Sequence, residues 1–116
     1  MILLMIAALA SAKAPVVVSS LTTEQLVRDC RGKDSDPAAT FCTGYIIGAF
    51  DTLSQAHQIC PSPAHASTLD TVASVRRYLR THDERWSDAP SFVVRDALRL
   101  NFPCKSTVVK RKRKRK

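Results

Sequence analysis

The sequence predicts a small all-α protein, a bundle of about four helices stapled by two disulfides. Three observations carry this. Apolar residues recur at three- and four-residue spacing in four stretches, the period of one buried helical face. Ser, Thr, Asp and Pro stand before these stretches and Gly or Pro after them, which are helix start and stop signals. Four cysteines, an even set, occur in a chain of 116 residues, a size at which the core alone gives marginal stability. No segment shows the strict alternation of a half-buried strand, and no repeat or second domain is visible.

The N-terminus, "MILLMIAALASAKA", is an apolar run too short to span a bilayer that leads into the small-residue pattern Ala10-Ser11-Ala12. Residues 1–12 therefore read as a secretory signal cleaved after Ala12, although no Lys or Arg precedes the run. The alternative is a buried N-terminal helix. Residues 13–20, with "PVVVSS", form a linker to a helical domain over residues 21–104.

In "LTTEQLVRDC", Thr22 and Gln25 fit a capping box, and Leu21 with Leu26 a hydrophobic staple. The first helix is expected from about Thr23 to Arg31, stopped by Gly32. After the polar turn "KDSDP", Asp36 as cap and Pro37 as first residue would open a second helix reaching about Ile59. Its expected buried face is Cys42, Tyr45, Ile46, Ala49, Phe50, Leu53 and Ala56, and Pro61 ends it. Ser67 with Asp70 would start a third helix, striped by Leu69, Val72, Val75 and Leu79 and ending near Thr81. The fourth begins near Asp88 to Pro90, with Val93, Val94, Ala97, Leu98 and Leu100 as apolar residues. Pro103 closes it, because a residue preceding proline is pushed out of the helical region.

Four short helices with short connections pack as antiparallel neighbours, and this topology predicts the disulfides. Cys30 ends the first helix and Cys42 lies early in the second, at one end of the bundle. Cys60 and Cys104 follow the second and fourth helices, at the other end. Pairing across the ends would span on the order of 25 Å of helix, whereas bridged Cα atoms lie within about 7 Å. The expected pairs are Cys30 with Cys42 and Cys60 with Cys104.

The stretch "FCTGYIIGAFD" places Gly44 and Gly48 inside the second helix. Each glycine there costs roughly 1 kcal/mol relative to Ala, which the close approach of another backbone can offset. The expected occupant of this helix-packing groove is a neighbouring helix of the same fold, the alternative a partner protein.

The net charge of +8 is misleading until it is divided by region. Residues 105–116, "KSTVVKRKRKRK", hold eight Lys and Arg and no acid, which leaves the body neutral. This basic tail is expected to be disordered. It reads as a solubilising extension or as a contact with anionic lipid head groups. The signal argues against nucleic acid as its partner.

Catalytic and metal constellations are sparse. His57, His65 and His82 lie on separate elements, and the pair His57 and Cys60 could join Cys42 or Cys104 in a zinc site only if the thiols stayed reduced. Four paired cysteines leave no nucleophile for a Cys-His dyad. The sequence contains no Gly-rich phosphate loop and no Gly-x-Ser-x-Gly, so neither an enzyme nor a cofactor or metal is expected. For a contact surface, the loop Asp83, Glu84, Arg85 and Trp86 stands out, since Trp and Arg are enriched in binding hot spots. The alternative is that Trp86 folds back on the core.

From Leu21 to Cys104, the succession "LVRDC", "FCTGYIIGAFD", "CPSP", "VRRYLRTHDERW" and "DALRLNFPC" resembles the Rap/Tai family of secreted immunity proteins. The most specific pieces are Cys42-Thr43-Gly44-Tyr45-Ile46 followed by Gly48, and Phe102-Pro103-Cys104. The resemblance implies an all-helical periplasmic protein, often dimeric, that binds a peptidoglycan amidase delivered by a type VI secretion system and blocks its cleft. The chain departs from the family in its basic tail and in Asp83, where members commonly carry a proline after the histidine. Two further classes stand beside this one. An acid-stress periplasmic chaperone would change structure near pH 3, and a nucleic-acid binder acting through the tail would lose affinity steeply with salt.

Overall fold

The computed structural model describes residues 15–32 and 40–105. The expected signal segment, Asp36 with Pro37, and the basic tail after Lys105 lie outside the described residues. Four helices are present, α1 (Thr23–Asp29), α2 (Phe41–Gln55), α3 (Thr68–Thr81) and α4 (Pro90–Asn101), with one 3₁₀ turn, Asp83–Arg85, before α4. The described residues contain no strand.

Each helix start follows from its own residues. At α1 the Thr22 hydroxyl accepts from the Gln25 N–H while the Gln25 side chain accepts from the Thr22 N–H, the reciprocal capping box. Ser67 caps α3 by accepting from the Asp70 N–H. Pro90 opens α4 at a position where its missing N–H has no intrahelical role.

The second helix is shorter than its sequence pattern suggests. Thr40 is extended, and its hydroxyl accepts from the Thr43 N–H, so α2 starts at Phe41 and not near Pro37. At the other end His57 takes a left-handed φ of 57°, with His57 N–H donating to Ser54 O and Gln58 N–H to Leu53 O. This is a Schellman closure with histidine where glycine is usual, and it ends α2 at Gln55 rather than near Ile59. The first helix likewise ends at Asp29, two residues before the expected Arg31. Gly32, at φ 129°, then turns the chain where a Cβ would be strained and would also stand 3.3 Å from the Arg76 guanidinium.

Every pair of helices is in contact, most extensively α3 with α4. The centre of the core is Leu26, Ile46, Val75, Leu79, Val93 and Leu98, all fully buried. Three residues expected inside are outside. Leu69 and Leu100 are 45% and 74% exposed, and Ala56 is exposed. At about 100° per residue, Leu69 and Leu100 sit roughly a quarter turn from the centre of the buried stripes of α3 and α4, while Ala56 is already the C-cap of α2.

Both expected disulfides are present, Cys30–Cys42 and Cys60–Cys104, each with Cα atoms 4.9 Å apart. The first is buried beneath α1 and α2. The second is exposed, and Cys60 N–H donates to Phe102 O beside it while the Phe50 ring meets Phe102 edge-on at 5.5 Å. Each end of the bundle is thus closed by a covalent staple, the geometry expected from the helix order.

Candidate functional site

Two surfaces follow from the sequence reading, and the structure gives them different characters. The first is the loop after α3. The His82 ring stacks on Tyr78 at 3.8 Å, and its Nδ1 lies 2.8 Å from the Tyr78 carbonyl, which fixes the proton on that nitrogen as donor. The 3₁₀ turn then brings Trp86 back over the core, half-buried, where its indole Nε1–H donates to Leu79 O at 2.8 Å. That bond satisfies one of the carbonyls left over at the end of α3.

The same loop serves α1. Trp86 O accepts from the Glu24 N–H at 3.0 Å, and Asp88 O accepts from both the N–H and the hydroxyl of Thr23 at 3.2 and 2.7 Å. Two unpaired donors in the first turn of α1 are therefore held by a segment more than sixty residues away in the chain.

Arg85 fixes the outer side of the loop, donating to Asp88 at 3.0 Å and to Asp96 on α4 at 2.6 Å. Arg95 donates to the other oxygen of Asp96 at 3.2 Å. Burial alone would raise the Asp96 pKa, but the bonds from Arg85 and Arg95 outweigh it and the carboxyl is held below its ordinary value. The bonds to Asp96 and then Asp88 hold the Arg85 guanidinium further above its own. Of the four residues expected to form a contact surface, Arg85 and Trp86 are engaged within the fold, and Asp83 and Glu84 are exposed.

The sign of the Asp96 shift sets a pH dependence. A carboxyl whose pKa is lower folded than unfolded stabilises above its unfolded value, about 4, and this contribution is lost as pH falls through the folded value. Chemical denaturation between pH 7 and pH 2 should therefore show an acid-side loss of stability that is shallower in Asp96→Asn. An unchanged slope in that variant would remove Asp96 as a source of acid sensitivity.

The second surface is the glycine face of α2. Gly44 and Gly48 are exposed, and a Cβ built on either meets nothing within 4 Å. The close approach of a neighbouring helix expected from the sequence is not seen over the two glycines among the described residues. The glycines instead floor an open groove of about 560 Å³ between α2 and α4, with Val16 and Val18 of the N-terminal segment along one side and Phe92 and Arg95 along the other. Helical periodicity identifies a face but does not say whether anything lies against it, so the sequence could not separate a filled groove from an open one.

The lining is apolar for a reason visible in α2, whose fifteen residues include one charged side chain, Asp51. A helix apolar on all sides is ordinarily covered on all sides. Here Cys42 and Ile46 are buried, while Phe41 on the outer side is 57% exposed with its ring 6.0 Å from Tyr45. Burial raises the Tyr45 phenol above its ordinary pKa, so it faces the groove in neutral form.

Among the described residues no cluster of histidine, cysteine and carboxylate side chains is arranged to hold a metal ion, and no thiol is free. The arrangement is that of a stapled scaffold presenting surfaces for contact. The family model described as Rap1a immunity proteins matches residues 22–104, the span that contains all four helices and both disulfides. The chain belongs to this family. No curated protein and no solved structure matches it. Membership in the Rap1a immunity proteins points to a secreted toxin effector as partner, and the matched residues include Gly44, Gly48 and the Trp86 loop but not the Val16 and Val18 wall of the groove.

Proposed function

We propose that this chain acts in the periplasm as an immunity protein that binds and occludes a peptidoglycan amidase effector delivered by type VI secretion. The observation that carries the reading is the family match over the whole described bundle. Two disulfides form and persist in an oxidising compartment, which fits export. No helix among the described residues is long and apolar enough to cross a membrane. A bundle stapled at both ends loses little conformational freedom on binding, so its surface is preorganised for a tight complex. Association with a second copy of the chain, as the resemblance implies, is compatible with such a role.

The test is reconstitution with the amidase effector encoded beside its gene. A stable complex burying roughly 800 Å² per partner, loss of amidase activity at equimolar ratio and an effector of unchanged mass are expected. An effector that is cleaved or modified would reject occlusion, and absence of a complex would reject the immunity reading. Client holding that begins with a large structural change near pH 3 would favour the chaperone class instead.

A further inference from the structure

The groove between α2 and α4 is an open apolar feature that the described residues leave unfilled, and its floor is unusual. Gly44 and Gly48 lie one turn apart on the exposed side of α2, with open space above both. A ligand segment can therefore come down onto the helix backbone itself, closer than any side chain would allow. One wall is the extended segment Val16 to Val18, in which Val16 and Val17 are 74% and 90% exposed. Phe41, 57% exposed near the start of α2, adds to the apolar side chains left in water, and exposed apolar patches mark interaction sites.

The charges around the groove select the occupant. Its lining includes Arg95 and no carboxylate. Arg95 lies over the Phe92 ring at 5.1 Å and shares Asp96 with Arg85, which also pairs with Asp88. One turn further along α4, Arg99 donates to the neutral side chain of Gln58, itself a lining residue, and makes no ion pair among the described residues. The α4 side of the groove thus presents Arg95 and Arg99, with no carboxylate in the lining. A second copy of the chain would bring the same cations to an isologous contact, and the Val16 to Val18 segment forms a wall while remaining exposed. A partner carrying carboxylates beside apolar residues completes both the hydrophobic and the electrostatic surface.

We propose that this groove receives a carboxylate-bearing apolar segment of the effector, which packs onto Gly44 and Gly48 and pairs with Arg95 and Arg99. The assignment rests on the immunity reading above, and it moves the main contact from the Asp83 to Trp86 loop to the groove between α2 and α4. The effector backbone then lies against the α2 backbone, and its acidic groups lie along α4.

The full chain is titrated against the amidase effector encoded beside its gene by calorimetry. Gly48→Trp places a bulky side chain in open space and fills the groove, and a roughly 100-fold loss of affinity is expected with circular dichroism unchanged. Arg99→Glu reverses the rim charge at a residue bonded to the neutral Gln58 side chain, with a loss of about tenfold and a weaker salt dependence expected. Thr52→Trp, from an exposed position in the same lining, repeats the first result if Gly48→Trp folds poorly. Wild-type affinity in folded Gly48→Trp and Thr52→Trp overturns the groove assignment and leaves the immunity reading intact. Absence of binding by the wild-type chain overturns both. A free chain that sediments as a dimer and becomes monomeric in Gly48→Trp assigns the groove to a second copy and likewise overturns the proposal.

Discussion

Replacing Cys60 and Cys104 together by serine is expected to destabilise the fold by about 4 kcal/mol, the largest effect of any pair of substitutions away from the core. The two residues are 44 apart in sequence, against 12 for Cys30 and Cys42. In the chain-entropy account, the longer closed loop restricts the unfolded chain more, giving about 4 kcal/mol against about 3. Whole domains of this size are stable by only about 5–15 kcal/mol, so the loss takes a large share of the total. Urea melts of the oxidised wild type and of Cys60→Ser with Cys104→Ser measure it directly, and a difference under 1 kcal/mol would contradict it. Burial adds a kinetic difference. Cys30 and Cys42 are 5% and 2% exposed, whereas Cys60 and Cys104 are both exposed. Under mild reduction, alkylation should reach Cys60 and Cys104 first, with Cys30 and Cys42 protected until the bundle opens.

Trp86→Ala should cost about 3 kcal/mol. Truncating a buried Trp or Phe to Ala costs about 3–5 kcal/mol, and partial exposure places Trp86 at the lower end. Two losses combine: the ring packed on the core, and the Nε1–H bond to Leu79 O. Trp86→Phe separates them, since it retains most of the packing and forfeits only the bond, worth about 1 kcal/mol. Both numbers come from thermal or denaturant melts of the free protein. If Trp86 were instead an anchor for the effector, Trp86→Phe would weaken binding strongly while leaving stability nearly intact, and that result would overturn the structural role argued here.

The contrast between Trp86 and Gly48 shows what in this molecule was legible from residues alone. Helix positions were, because capping is local: Thr22 with Gln25, Ser67 with Asp70, and Pro90 each act within one turn of the residues they start. The cysteine pairs were, because helix order decides which chain ends meet. The starting point of α2 was not, since Asp36 and Thr40 are both competent caps by type and only backbone geometry selects Thr40. Its end was not, since His57 takes a left-handed turn position where glycine is the usual signal. The contact surfaces were least legible of all. A Trp beside charged residues has the same local pattern whether it projects or folds inward, and two glycines on a helix have the same pattern whether their notch is filled or open. Those differences arise from the packing of distant segments.

The carbonyls of Trp86 and Asp88 that hold the first turn of α1 bear on how the chain matures. In a polypeptide emerging N-terminus first, the residues of α1 come out early, yet the groups that complete that helix follow only after the third helix has passed. A seven-residue helix is too short to persist alone. The leading segment therefore stays uncommitted for most of its passage, and Cys30 meets Cys42 across a short loop before either later cysteine is in reach. Assembly of the tertiary structure is deferred until nearly the whole domain has emerged, which orders oxidation in favour of the native first crosslink.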